Sequence, residues 1–171
     1  MKFYMSFPNL NSRVHIIEGS YSKMMNFAQD HPRNEIIGVF FGKIRENGDI
    51  DVLEVYPFRV GKHTEVHFKD SDYEKVLPII KDCSSRDLEW LGWFHSHPFK
   101  HGDHLYMSNT DIFYQYPAQI QNPFWTAIIC NPHQINDSST SRGMRAFRLY
   151  YDLDVSKLTK KVIEVPILIE K

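Results

Sequence analysis

Apolar positions in this chain fall into short runs separated by polar breaks, and the runs follow two different periods. Ile36–Phe41 is apolar on both faces, as a strand buried on both sides requires, and Phe124–Cys130 has the same character. Asn47-Gly48 is a hairpin-turn signal leading into a strand over Ile50–Val55. Leu88–His97 is mostly apolar, aromatic and strand-like before Pro98 ends it, while Val14–Ile17, Met144–Tyr150 and Val162–Ile169 alternate well enough to be strands. Tyr21, Met24, Met25 and Phe27 recur at helical spacing and predict a helix over Ser20–Gln29, with Gly19 closing the strand before it, Ser20 as N-cap and His31-Pro32 as the stop. A second helix is predicted over Ser71–Cys83, with Tyr73, Val76, Leu77 and Ile80 on one face and a kink at Pro78; a third covers Ser108–Tyr116 and ends near Pro117. Tyr56–Asp70 reads as polar and irregular with a short strand around Glu65–Phe68, and Asn131–Gly143 as a polar loop. Strands and helices in this order predict one α/β layer structure.

Chemistry concentrates where the third helix begins. His95 and His97 are two apart on a strand, so their imidazoles share a face. Ser108-Asn-Thr-Asp111 is a helix-start signature, a hydroxyl with a carboxylate three residues on, which puts Asp111 in the first turn near the helix's positive end. Two neutral imidazoles and one carboxylate make a three-ligand set suited to Zn2+, with a fourth position left for water, the arrangement of catalytic rather than structural zinc. Each half also has a plainer account: His-x-His occurs as partly buried or surface histidines, and Ser-x-x-Asp as a capping box alone. Thirteen residues separate His97 from Asp111, including a loop, Phe99–Met107, that holds His101, Asp103 and His104. Asp103 is a rival ligand there without a helix start to fix it, and an accessory metal in the loop would lack preorganisation. His63 and His67 do not form a zincin pair, because the order is His-Thr-Glu-Val-His.

Composition narrows the classes. A chain of 171 residues is long enough to bury a sizeable core as one domain, and a net charge of −1 argues against a dedicated nucleic-acid binder, which needs a basic face. Cys83 and Cys130 lie far apart with no Cys-x-x-Cys, which reads as buried free thiols in a reducing, cytoplasmic setting. Met1–Asn9 is apolar only briefly, so neither a signal core nor a membrane span is expected.

Together these residues resemble the JAMM motif of the MPN domain, the zinc metalloisopeptidases related to the proteasome-lid and signalosome deubiquitinases. That pattern is a glutamate opening an apolar strand, then His-x-His-Pro, then Ser-x-x-Asp. Here Glu35 opens Glu-Ile-Ile-Gly-Val-Phe-Phe-Gly, His95-Ser-His97-Pro98 follows, and Ser108-Asn-Thr-Asp111 closes it. The likeness extends from Val14 to Tyr151, with Asn122-Pro-Phe-Trp-Thr-Ala-Ile-Ile and Gly143-Met-Arg-Ala-Phe-Arg similar to the family's late strands. The gap from His97 to Asp111 is longer than the family's usual one, so Phe99–Met107 is read as a lengthened loop.

The resemblance implies a single MPN domain over residues 1–171, with a curved mixed sheet flanked by helices and a layering like that of cytidine deaminases. A deaminase activity itself is excluded by the missing Pro-Cys-x-x-Cys. It implies zinc on His95, His97 and Asp111, Glu35 as general base and Ser108 as donor to the oxyanion. The implied substrate is ubiquitin or a ubiquitin-like modifier joined by its C-terminal tail to a lysine, with Arg59–Asp72 and Asn131–Gly143 framing the groove, and a second MPN protein is a candidate partner. Two alternatives share these residues: a peptidase that processes sulfur-carrier or other ubiquitin-fold proteins, and a metal-free MPN scaffold.

Overall fold

The computed structural model describes residues 12–152 and 159–171. In chain order they form β1 (Val14–Ile17), α1 (Glu18–Asp30), β2 (Ile36–Ile44), β3 (Ile50–Val60), α2 (Asp70–Ser85), β4 (Glu89–Ser96), α3 (Asn109–Gln121), β5 (Thr126–Cys130), β6 (Met144–Asp152), β7 (Thr159–Val165) and β8 (Ile167–Glu170). Met1–Asn9, where no signal core was expected, lies outside the described residues.

One mixed sheet runs β7-β6-β5-β4-β2-β3-β1-β8. β1 pairs in parallel with β3 and β8, and β4 with β5, while the other pairs are antiparallel. β7 and β8 occupy opposite edges of that order yet are separated in sequence by Pro166 alone. The sheet therefore curls until its edges nearly meet, with the Pro166 carbonyl accepting the Val14 N–H at 2.8 Å. The predicted strand over Val162–Ile169 is thus two strands. Proline has no N–H for a ladder, and here it marks the step from one edge to the other.

The central strands are apolar on both faces because both faces are covered. Ile36, Phe40, Leu91, Phe94 and Ile128 face the concave core, where Met24, Met25 and Ala28 of α1 pack. On the convex side Ile37, Trp93, Ala127, Ile129 and Phe147 form a second cluster with Ile112 and Tyr116 of α3, and Val39 and Phe41 a third with Ile79, Ile80 and Cys83 of α2. Both thiols are free and fully buried.

Several boundaries differ from the sequence expectation. α1 starts at Glu18 with Gly19 inside its first turn, and Ser20 is not the cap but a buried helical residue whose hydroxyl donates to the Leu53 carbonyl at 2.9 Å. β3 continues through Pro57 to Val60, its pairing with β2 shifting register between Ile37 and Gly38. Glu65–Phe68 forms no strand. α2 turns Asp72, Val76 and Cys83 inward and leaves Tyr73 and Leu77 exposed, so the predicted face is rotated. Pro78 and Pro117 both stay within helices, and α3 runs on to Gln121. Each proline lies on the exposed side of its helix, where water can serve the carbonyl that loses its partner.

Candidate metal centre

The sheet register assembles the site. Ile37 pairs with His95, and Glu35 stands two residues before Ile37, which carries it to the end of β4 that presents the histidines. The Glu35 N–H donates to Lys62 and its carbonyl accepts from Gly61, both at 2.8 Å, so its main chain is clamped by the segment after β3. That segment is held in turn by a two-point ion pair from Arg59 at the end of β3 to the fully buried Asp72 of α2. Opposite, Ser108 caps α3: its Oγ accepts from the Asp111 N–H at 3.2 Å and donates to Asp111 Oδ2 at 2.8 Å, and its own N–H donates to the same oxygen at 2.7 Å. The capping box therefore fixes Asp111 toward the strand.

The expected ligands converge. One ligand atom each from His95, His97 and Asp111 lie within 4.8 Å of one another, with all three residues buried. The two Nε2 atoms are 2.9 Å apart, and Asp111 Oδ1 is 3.3 Å from His95 Nε2 and Oδ2 3.7 Å from His97 Nε2. A carbonyl can only accept, so His97 Nδ1, 2.6 Å from the His104 carbonyl, carries hydrogen. Burial, reinforced by His95, pushes the His97 pKa down to about 4, so at neutral pH its Nε2 offers a lone pair to the cluster. Burial opposes the charge on Asp111, but His95 and the Ser108 hydrogen bonds outweigh it and hold the carboxyl well below its ordinary range. Two imidazoles that turn their Nε2 atoms toward each other and toward an ionised carboxylate, all buried, fit a divalent cation such as zinc.

Glu35 is different. Its carboxylate is not part of that ligand group, yet it is buried, and its pKa rises to about 7, chiefly by desolvation, with His95 opposing and Asp111 adding to the rise. A carboxylate that exchanges its proton near neutrality beside a metal-ligand set is suited to general base work.

The lengthened loop supplies no ligand. Asp103 pairs with Arg145 at 3.1 Å and His104 Nε2 donates to the His101 carbonyl, and neither residue is grouped with His95, His97 and Asp111. Its contribution is the His104 carbonyl that orients His97, secured by the burial of Leu105 and Met107 just beyond. A second group, His15, Asp51 and Glu170, also lies within 4.8 Å, at the β1–β8 edge.

Beside the centre lies a cleft of about 480 Å³ that sequence reasoning missed. It is lined by Asp111, Trp93, Trp90, Trp125, Val66, Phe68 and Tyr114 among others. In the sequence Trp90, Trp93 and Trp125 read only as aromatics of strand-like runs. The available signal was that Trp90 and Trp93 surround the strand's Gly92 on a run already apolar on both faces.

A profile of the JAB1/Mov34/MPN/PAD-1 ubiquitin protease family matches residues 10–119. The chain belongs to this family. It is 31% identical over 144 residues to COP9 signalosome complex subunit 5 of Debaryomyces hansenii, a match covering 82% of this chain and 29% of that one. It is 30% identical to subunit 5a of Arabidopsis thaliana, covering 87% and 41%, and 26% identical to 26S proteasome non-ATPase regulatory subunit 14 of Dictyostelium discoideum, covering 74% and 41%. The chain thus spans less than half the length of these relatives. The solution structure of protein DSY2949 from Desulfitobacterium hafniense has the same fold, with a TM-score of 0.61 at 21% identity and coverage of 92% and 93%. Among the described residues, no helix is long and apolar enough to cross a membrane.

Proposed function

We propose that this MPN protein is a zinc-dependent isopeptidase that hydrolyses the amide between the C-terminal tail of ubiquitin, or a ubiquitin-like modifier, and a lysine. The observation that carries the reading is the buried convergence of His95, His97 and Asp111 beside a carboxylic acid, Glu35, whose pKa sits near neutrality. Bound there, zinc supplies Lewis-acid chemistry, polarising a carbonyl and bringing the pKa of water toward neutral. Glu35 accepts the proton from the attacking water and returns it to the departing lysine amine, which makes the amide breakable. Ser108 turns its hydroxyl proton from Asp111 Oδ2 to the developing oxyanion while its lone pair keeps the Asp111 N–H capped.

The cleft supports a tail as substrate. Its lining joins Asp111 to Trp93, Trp90 and Trp125, an apolar space of about 480 Å³ that opens beside the histidine pair. Its indole and phenyl walls suit apolar side chains upstream of a tail end that must be slim to reach the histidines. The family's description as a ubiquitin protease supports a ubiquitin-like substrate, and relatives named as signalosome and proteasome subunits support assembly with other subunits, for which a second MPN protein is the candidate.

The test is cleavage of a fluorescent lysine-linked modifier by wild-type and Glu35→Gln protein at matched zinc content, with a linear C-terminal extension in parallel. We expect one zinc per chain in both proteins and turnover lower by about 10²–10⁴ in the variant. A wild type without zinc, or equal turnover, overturns the reading; cleavage of only the linear extension replaces isopeptidase with processing peptidase.

A further inference from the structure

The two histidines are oriented by different means. A histidine that binds a metal generally has its other ring nitrogen fixed by a carbonyl or carboxylate, which sets the plane of the imidazole. His97 follows this rule through the His104 carbonyl. His95 does not: it is 1% exposed, and its Nδ1 has no hydrogen-bond partner. What faces His95 instead is Trp93, two residues back on the same side of β4, whose ring stacks on the imidazole with centroids 4.8 Å apart and planes 11° apart. Trp93 is itself held. Its Nε1–H donates to Gln115 Oε1 at 2.8 Å, and Gln115, fully buried, is one turn beyond Asp111 on α3. The Gln115 amide donates onward to the Trp125 carbonyl at 2.9 Å and to Gln119 Oε1 at 3.0 Å. Gln119 closes the chain by bonding both the N–H and the carbonyl of Leu149, at 2.7 and 2.6 Å.

We infer that Trp93 and Gln115 are positioning residues: the indole plane sets the plane of the His95 imidazole in place of a hydrogen bond, and Gln115 ties that indole to the helix that carries Asp111. Two ligands from separate elements are thereby brought into register through one buried connection. A parallel stack resists tilting of the imidazole but leaves its in-plane position to the strand, so the arrangement works only while the indole stays anchored. The inference rests on the metal reading given above, and its test is chosen to separate the two.

Zinc affinity is measured by competition with a chromophoric chelator, and ligand geometry by the visible absorption of the cobalt-substituted protein, for wild type, Trp93→Leu, Trp93→Phe, Gln115→Leu and Gln119→Leu. We expect Trp93→Leu to weaken zinc binding by about 10–100-fold and to alter the cobalt spectrum, with Trp93→Phe, which keeps an aromatic face, recovering most of the loss. Gln115→Leu should fall about tenfold, whereas Gln119→Leu, which breaks the same buried chain away from Trp93, should lower the melting temperature and leave affinity within about twofold. If wild type binds zinc and the two Trp93 variants bind it as tightly with an unchanged cobalt spectrum, or lose affinity equally, this inference is overturned alone. A wild type that binds no zinc overturns the metal reading and this inference with it.

Discussion

Among the described residues, two groups bring histidine and carboxylate ligand atoms within 4.8 Å of one another, and they differ in what is left over. At the β1–β8 edge, His15 Nδ1 is 2.5 Å from Glu170 and Nε2 is 2.8 Å from the buried Asp49, so both ring nitrogens already face an oxygen. The Arg45 guanidinium bonds Asp51 at 2.6 Å and lies 3.6 Å from Glu170. Every charge there has an opposite or a donor within the chain. At the end of β4, two imidazole Nε2 atoms and a carboxylate meet with no Lys or Arg among them, and one ring nitrogen is buried without a partner. Proximity of ligating residue types is common to both, so what separates them is the absence of a compensating lysine or arginine in the β4 cluster, and the proposed metal reading rests on that difference.

The sharpest way to break this contrast is to delete one ligand from each cluster. His97→Ala should cost on the order of a thousandfold or more in zinc affinity, since each of three ligands carries several kcal/mol of a binding free energy of roughly 10–16 kcal/mol. Glu170→Ala should leave one zinc per chain with unchanged affinity, as read by metal analysis after dialysis. Loss of zinc in the second variant, or its retention in the first, would reverse the assignment. Ser108→Ala probes the same centre more gently. Turnover should fall about a hundredfold with zinc retained, and stability should drop by about 1 kcal/mol in thermal melts as the helix loses its cap.

How much of this was readable beforehand depended on whether local rules ruled. The histidine pair and Asp111 were legible because a strand's two-residue period and a helix's capping box are local, and both survive folding unchanged. β2 was legible because a strand covered on both sides has no polar face. What failed depended on distant residues. Ser20 looks like a cap until the Leu53 carbonyl, more than thirty positions away, takes its hydroxyl. Pro117 looks like a stop, but Gln115 and Gln119 anchor the helix on either side of it. The tryptophan cleft and the Trp93–Gln115 link join three elements, and no periodicity in one of them reveals the others.

A subtler difference between the two clusters is that only the β4 site stores a cost when no cation is present. The pKa of Glu35, raised to about 7 from an ordinary carboxylate value, means that folding favours its protonated form. Its contribution to stability is fully present below about pH 4.5 and is lost as pH rises through about 7. In chelator, wild type should therefore lose stability across that window, and Glu35→Gln, neutral throughout, should not share this loss. At pH 8 the variant should be the more stable by on the order of 2 kcal/mol, roughly 4–8 °C in melting temperature, and the difference should fade as the pH drops below about 4.5. Equal melting curves for the two proteins across that range would mean that Glu35 carries no burial penalty. The residue proposed as general base would then lack the property that suits it to the task.

The smallest effect is expected where compensation is complete. The Arg45 side chain is 39% exposed, so water and salt screen its pair with Asp51, and Arg45→Gln should cost less than about 1 kcal/mol, with the cost shrinking as salt is added. The variant is informative for another reason: it removes the guanidinium and leaves Asp51 and Glu170 facing only His15. If that edge were a metal site held closed by arginine, calorimetric titration of the variant would reveal a second zinc per chain. We expect the stoichiometry to stay at one, because the Glu170 and Asp49 carboxylates still hold the two ring nitrogens of His15, at 2.5 and 2.8 Å. Appearance of a second equivalent would show that the two clusters differ only in which cation fills them.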